Sequence, residues 1–138
     1  MLLESIKEYF KNHNTEKHNA CFIVGGFANF EDGYCQECME ISKEFPPDQF
    51  YMSLESPFSF QEVKIINAFS DFGVVPSLFE PGGLVQMEFL AASTPVICSR
   101  TGGLLDTVTD FRKSKLGNGL LCEPGDPESL LEALLHAV

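Results

Sequence analysis

Short apolar runs alternate along the chain with segments of helical periodicity. The runs lie at 20–24, 49–52, 72–75, 95–98 and 119–122, and their apolar character is continuous rather than alternating. Strands of this kind are typical of parallel sheets, which carry helices on both faces. We therefore predict an α/β fold with a Rossmann-like parallel sheet, helices on both faces, and strands buried on both sides.

Capping residues mark the start of two helical segments. Asp126 precedes Pro127, which combines an N-cap with proline at the first helical position. Ser59 lies three residues before Glu62, the spacing of a capping box. The predicted helices span 2–12, 34–45, 61–69, 83–92, 104–110 and 127–137.

Length and charge limit the classes of partner. A chain of 138 residues with 44% hydrophobic residues suits a single domain. The formal net charge of −11 argues against nonspecific binding to nucleic acid or anionic lipid, because both depend on clustered Lys and Arg. No apolar run approaches the roughly 18 residues that cross a bilayer, and the first segment is too charged for a secretory signal. We expect a cytoplasmic domain without a nucleic-acid or membrane partner.

The five cysteines indicate a reducing compartment. Three of them fall in predicted strands, as buried reduced cysteines commonly do. Cys35 and Cys38 have the spacing of half a zinc or redox site, but no second pair and no nearby His completes four ligands. We therefore predict no metal site and no cofactor.

The turn Glu80-Pro81-Gly82-Gly83 joins the third apolar run to the fourth helix. Backbone N–H groups and the dipole at a helix N-terminus attract anions, and glycines let a ligand approach the backbone. Because parallel strands all end at the carboxyl edge of their sheet, we predict that a nucleotide diphosphate binds at this turn. In so acidic a chain, a phosphate must be held by backbone N–H groups, by few cations, or by residues supplied from elsewhere.

Two glycine motifs resemble the starch and glycogen synthase family, which comprises retaining glycosyltransferases of the GT-B fold. The first is Ser-Leu-Phe-Glu-Pro-Gly-Gly-Leu at 77–84, and the second is Arg-Thr-Gly-Gly-Leu-Leu-Asp-Thr-Val at 100–108. Looser similarity continues at 22–26 and 118–124. The resemblance implies the C-terminal, donor-binding half of a GT-B fold.

The resemblance also implies roles for individual residues. Glu80 and Glu88 have the family's E-x7-E spacing. Glu80 would be the catalytic carboxylate that contacts the transferred glucose and supports its developing positive charge, and Glu88 would face the ribose hydroxyls. Phe58 falls where the family stacks an aromatic ring on the nucleobase. The other implied donor-binding residues are Gly82, Gly83, Leu84, Arg100, Thr101, Gly102 and Gly103.

The sequence departs from the family pattern in three ways. Many members have Cys and Thr where this chain has Gly82 and Val85, so a hydroxyl that could reach a phosphate is absent. The Arg and Lys that grip the diphosphate in the family have no counterpart before Leu2, and neither does the first strand of the sheet. The resemblance thus implies that residues 1–138 form an incomplete nucleotide-sugar-binding domain. Without that strand, the sheet must either close up or leave two exposed edges between 20–24 and 72–75.

The activity implied by the resemblance is glucosyl transfer from ADP-glucose or UDP-glucose to the nonreducing end of an α-1,4-glucan, with retention. The glucan acceptor would bind through an N-terminal domain outside this chain, and the 138 residues alone would be inactive. An upstream transit peptide would direct the protein to a plastid. Two alternatives are a retaining transferase of the sucrose or trehalose type, and a non-catalytic remnant that binds nucleotide sugar or glucan.

Structural alternatives exist for several of these residues. Glu80 could be a solvated acid beside a Pro-Gly-Gly turn. Arg100 could pair with a surface acid rather than a phosphate, and Phe58 could be an ordinary core or rim side chain. The loop 101–103 could be a strand-to-helix turn whose glycines serve only the backbone conformation.

Overall fold

A computed structural model describes residues 1–13, 19–26, 31, 33–54 and 58–138. Helices and strands alternate along the chain as predicted. None of the described helices has the length and apolar character to cross a bilayer. The elements in chain order are α1 (Leu2–Asn12), β1 (Phe22–Gly25), α2 (Gly33–Ser42), β2 (Phe50–Ser53), α3 (Phe60–Phe69), β3 (Gly73–Val75), α4 (Leu84–Ala91), β4 (Val96–Ser99), α5 (Leu104–Thr107), β5 (Gly119–Cys122) and α6 (Pro127–Ala137).

The strands form two parallel sheets instead of one. β1 pairs with β2, and the second sheet has the order β3-β4-β5. Among the described residues no strand joins β1 to β3, so each of these strands keeps one unpaired edge. Of the two outcomes expected from the sequence, the structure has the one with two open edges. The sheets are connected by helix packing, since α1 lies on α6 and the buried Ser5 Oγ donates to the Pro127 carbonyl at 2.8 Å.

The three-stranded sheet carries helices on both faces, which confirms the predicted fold class. All residues of β4 and β5 are buried. On one face, Val96, Cys98 and Leu121 pack with Leu104 and Val108 from the α5 region. On the other face, a second cluster joins the two strands to α6; its buried members are Ile97, Leu120, Cys122, Leu130, Ala133 and Leu134.

The two-stranded sheet is buried on one face only. There Phe22 and Val24 pack against a cluster that contains Ile6, Phe45 and Phe50, contributed by α1, by the segment after α2 and by β2. On the opposite face, Ile23 is 50% exposed and Tyr51 is 57% exposed. The expectation that these strands are buried on both sides is therefore wrong, because the described helices cover one face.

Most predicted helix and strand boundaries agree with the structure to within two residues. Capping residues fix the starts of α3 and α6. Asp126 accepts from the N–H groups of Glu128 and Ser129, and Ser59 and Glu62 form a complete capping box. α5 ends at Thr107, three residues earlier than predicted, and Asp110 instead forms a bridge with Gly119.

Candidate functional site

The two glycine motifs lie against each other at the carboxyl edge of β3 and β4. The Gly103 N–H donates to the Glu80 carbonyl at 3.0 Å. A Cβ on Gly102 would lie 2.0 Å from the Glu80 carbonyl oxygen, and a Cβ on Gly103 would lie 2.8 Å from the Gly82 carbonyl oxygen. No side chain fits into such a contact, so glycine at 102 and 103 is what allows the two loops to touch.

The Glu80 carboxylate turns back onto the N-terminus of α4. Its Oε1 accepts from the Gly83 N–H at 3.0 Å, and its Oε2 accepts from Ser77 Oγ at 3.4 Å. A carboxylate is electrostatically favoured at this end of a helix. The half-buried Glu80 therefore has a defined orientation, and it already occupies one of the N–H groups that the sequence assigned to a ligand.

Gly82 and Gly83 have different structural requirements, although both were predicted to bind the donor. Gly83 is the N-cap of α4 and has a left-handed backbone with φ of 64°. A Cβ on Gly83 would lie 2.3 Å from Nε2 of Gln86, whereas a Cβ on Gly82 would meet nothing within 4 Å. Only Gly83 is required by the local backbone and packing.

We expect Gly83→Ala to lower the free energy of unfolding by about 1–3 kcal/mol, because alanine disfavours the left-handed region and its Cβ would collide with the buried Gln86 amide. Gly82→Ala is the matched control, and we expect it to stay within about 0.5 kcal/mol of the parent chain. Urea denaturation of both variants measures the difference. Equal losses in the two variants would contradict the distinction between the two glycines.

Leu84 and Glu88 lie one turn apart on α4, and both are exposed. Leu84 is 72% exposed, directly after the Gly82-Gly83 turn. Since residues four apart share a helix face, Glu88 presents its carboxylate on the same open side as Leu84. Both residues are therefore accessible to a ligand that approaches the N-terminal half of α4.

Arg100 pairs with a surface acid in this structure. Its Nε donates to Glu123 Oε1 at 3.0 Å, and the two side chains are 31% and 60% exposed. For Arg100, a surface acid was the structural alternative to a phosphate, and Glu123 is that acid. The adjacent Thr101 lies between the end of β4 and the contact of Gly102 with Glu80. An exposed ion pair of this kind is weak, so Arg100 is free to exchange Glu123 for another anion.

Phe58 lies over the end of β1, on the first sheet. A Cβ on Gly25 would come within 2.6 Å of the Phe58 ring, so glycine at this position makes room for the ring. The ring centroid is 6.1 Å from that of Tyr51, with an interplanar angle of 34°. The half-buried Phe58 thus has a supported ring at the carboxyl edge of β1, separate from the sheet that carries Glu80.

An ion pair between the buried Asp110 and the partly exposed Arg112 was not predicted from the sequence. Asp110 is 3% exposed and accepts from Arg112 Nη2 at 2.6 Å and from the Leu121 N–H at 3.1 Å. Hydrogen bonds from the Arg112 side chain hold the pKa of Asp110 far below its usual range, despite the opposing effect of burial. Arg112 also donates to the Leu121 carbonyl at 2.6 Å, so the pair ties the loop after α5 to β5. In the sequence, the one indication of this ion pair is the spacing of Asp110 two residues before Arg112.

The cysteines of the second sheet have no features of a nucleophile. Burial raises the pKa of Cys98 to about 12, with a smaller contribution from the nearby Cys122. Burial also raises the pKa of Cys122. Both thiols are therefore protonated at neutral pH. In the part of the chain that the structure describes, no group of three or more His, Cys, Asp or Glu residues lies together as metal ligands would.

Comparison with known proteins agrees with the geometry. Residues 1–138 match the family described as glycosyl transferases group 1. A glycogen synthase of Thermosipho africanus is 38% identical over 138 residues, which are 99% of this chain and 26% of that protein. A glycogen synthase of Opitutus terrae is 49% identical over 75 residues, which are 54% of this chain and 15% of that protein.

A solved structure shares the fold. The catalytic domain of starch synthase IV from Arabidopsis thaliana, bound to ADP and acarbose, superposes with a TM-score of 0.77 and 26% identity, over 98% of this chain and 27% of that one. The present chain thus spans about a quarter of the length of that structure and of the T. africanus relative. Because the family match extends over every residue and the structural neighbours are GT-B enzymes, the chain belongs to the glycosyl transferases group 1 family and has the α/β fold of one portion of a GT-B glycosyltransferase.

Proposed function

We propose that this chain supplies part of the donor site for transfer of glucose from ADP-glucose or UDP-glucose to the nonreducing end of an α-1,4-glucan, with retention. The observation that carries the proposal is the fixed orientation of the Glu80 carboxylate, which accepts a hydrogen bond from the Gly83 N–H. This carboxylate lies where the two glycine loops meet at the edge of the sheet. The glycogen synthase relatives and the ADP and acarbose bound to the starch synthase structure support this choice of substrates.

Glu80 would act on the sugar. As the bond between the anomeric carbon and the diphosphate oxygen breaks, positive charge develops on the glucose ring, and a nearby carboxylate stabilises that charge. The same carboxylate can accept hydrogen bonds from sugar hydroxyls while it keeps the Gly83 N–H. An orientation fixed before the donor arrives reduces the reorganisation needed in the transition state.

The rest of the donor would extend along the carboxyl edges of both sheets. We assign the ribose to Glu88, and the diphosphate to the backbone of Gly82, Leu84 and the loop 101–103, with Arg100 released from Glu123. Phe58, supported over Gly25, would stack on the nucleobase.

The cations for the diphosphate would come from outside this chain. The net charge is −11, and the arginine nearest the two loops in sequence, Arg100, is paired with Glu123. We propose that the chain is one portion of a longer enzyme whose other residues supply a strand between β1 and β3, phosphate-binding cations and the acceptor domain. The unpaired edges of β1 and β3 and the quarter-length coverage of relatives support this. The 138 residues alone would then bind donor weakly and catalyse no transfer.

The proposed activity is tested with the longer enzyme of which this chain would be one portion, called the extended protein below. It is incubated with a malto-oligosaccharide and either ADP-glucose or UDP-glucose. The expected product is an oligosaccharide that is longer by α-1,4-linked glucose. Calorimetry with ADP and both sugar nucleotides tests the second candidate, a non-catalytic remnant, which the shortage of cations favours. Binding of a nucleotide without extension of the oligosaccharide would support the remnant. The absence of both binding and extension would refute both candidate functions.

We expect Phe58→Leu to weaken ADP binding by about 5- to 150-fold, because a base stacked on an aromatic ring gains roughly 1–3 kcal/mol. The matched control is Phe60→Leu, since Phe60 is 74% exposed two residues away and lies at the start of α3. Calorimetric titration of ADP into the extended protein measures both affinities. Unchanged affinity in Phe58→Leu would remove Phe58 from the donor site.

A further inference from the structure

Gln86 is a fully buried amide beneath the N-terminus of α4, and it lies outside both glycine motifs. It is 0% exposed, and its Nε2 donates to Thr107 Oγ1 at 3.1 Å. Thr107 Oγ1 in turn donates to the Gly103 carbonyl at 3.1 Å. The amide therefore connects α4 to the second glycine loop.

The same amide lies directly against the first glycine loop. The Cβ position of Gly83 is 2.3 Å from Gln86 Nε2 and 2.6 Å from its Oε1, so a side chain at position 83 would force the amide to move. Gln86 thus touches Gly83 directly and reaches Gly103 through Thr107. These two glycines are the residues whose N–H groups bind Glu80, one at its carboxylate and one at its carbonyl.

Stability alone does not account for an amide at this place. Gln86 Oε1 is buried and has no hydrogen-bond partner among the described residues. A buried acceptor without a donor opposes folding, and an apolar side chain of similar length would avoid that cost. What an apolar residue could not provide is the hydrogen bond to Thr107, and through it the link to Gly103.

We propose that Gln86 is a positioning residue for Glu80: its amide, wedged under Gly83 and bonded to Thr107, fixes the two glycine N–H groups that orient Glu80. Gln86 does not touch the substrate, because its side chain is entirely covered. Its consequence for catalysis rests on the proposed glucosyl transfer, whereas its effect on the two loops does not.

The test uses Gln86→Met, which keeps the length of the side chain and removes its hydrogen bond to Thr107. Gln61→Met is the matched control, because Gln61 is exposed on α3. Amide ¹H and ¹⁵N shifts of Gly83 and Gly103, and the side-chain carboxyl ¹³C shift of Glu80, are measured in the 138-residue chain at pH 7. We expect Gln86→Met to move all three sets of signals, and Gln61→Met to leave them in place. Unchanged signals in Gln86→Met would overturn the proposal.

Substitutions at Thr107 keep the proposal testable if Gln86→Met does not fold. Thr107→Val removes the hydroxyl at nearly constant volume, and Thr107→Ser keeps it. We expect Thr107→Val to shift the Gly103 and Glu80 signals and Thr107→Ser to restore them. Equal spectra for the Val and Ser variants would contradict the role assigned to the Gln86–Thr107 bond.

Kinetics of the extended enzyme separate this inference from the proposed function. We expect Gln86→Met to lower kcat by about 10- to 100-fold with little change in the donor KM, since misplacing a catalytic group by a fraction of an ångström mainly affects the transition state. If the parent enzyme transfers no glucose, the proposed function fails, but the spectra still decide whether Gln86 positions Glu80. A rise in donor KM at unchanged kcat would overturn the positioning role in catalysis.

Discussion

Replacing Glu80 by glutamine is expected to lower kcat for glucan extension by about 10²- to 10³-fold in the extended enzyme. The glutamine oxygen can still accept from the Gly83 N–H, which Glu80 Oε1 does at 3.0 Å. The substitution therefore preserves the shape of the turn and removes the negative charge beside the glucose ring. The loss should appear in kcat, because the charge acts mainly when positive charge develops in the transition state.

The assay measures oligosaccharide extension from a saturating sugar nucleotide, and thermal unfolding checks that the variant is folded. Glu132→Gln is the matched control, since Glu132 is an exposed acid on α6, outside the two glycine loops. We expect the control to retain the parent kcat. A Glu80→Gln enzyme with parent activity would show that Glu80 is a solvated turn residue and not a catalytic one.

Removing the carboxylate of Asp110 is expected to lower the free energy of unfolding by about 3 kcal/mol. Asp110→Ala removes hydrogen bonds from the Arg112 backbone, the Arg112 side chain and the Leu121 N–H, and it leaves that buried N–H without an acceptor. For a chain of this size, the expected fall in Tm is on the order of 10 °C. Asp106→Ala is the control, because Asp106 is exposed four residues away. Equal melting temperatures for the two variants would contradict this role.

The same ion pair predicts the direction of acid destabilisation. The folded pKa of Asp110 lies well below the value of about 3.9 expected in an unfolded chain. Its contribution to stability is therefore complete above about pH 5, and it declines as the pH falls through 4 towards the folded pKa. We expect the difference in stability between the parent chain and Asp110→Ala to shrink over this range. A difference that stays constant from pH 7 to pH 3 would refute the assignment.

The parts of the fold that local sequence controls were predictable. α6 starts after Asp126 because its carboxylate caps the helix, and α3 starts after the Ser59 capping box. The predicted α5 is three residues too long, because Asp110 lies outside the helix and accepts a hydrogen bond from the Leu121 N–H, eleven residues away. The exposure of Ile23 and Tyr51 was missed for a similar reason, since strand composition does not reveal whether a helix covers the second face.

The candidate site was predictable as a pair of loops but not as a set of contacts. The glycines at 82–83 and 102–103 were found from their positions after strands. Gly102 and Gly103 must be glycine because backbone atoms of the first loop lie against them, and Gly83 lies against Gln86. No local sequence pattern indicates these contacts. A glutamine in a helix that also carries an acid such as Glu88 gives no sign of burial in the sequence, because glutamine is mostly exposed in proteins.

The absence of a described strand between β1 and β3 has a consequence for how a ligand affects the domain. Phe58 is attached to the first sheet and Glu80 to the second, and among the described residues the two sheets are joined through the packing of α1 on α6 and the Ser5 hydrogen bond to Pro127, not by strand pairing. A nucleotide sugar that contacts both residues would act as a non-covalent cross-link between the sheets. The donor would then resist separation of the two halves, with a gain in stability that grows logarithmically with its concentration above Kd.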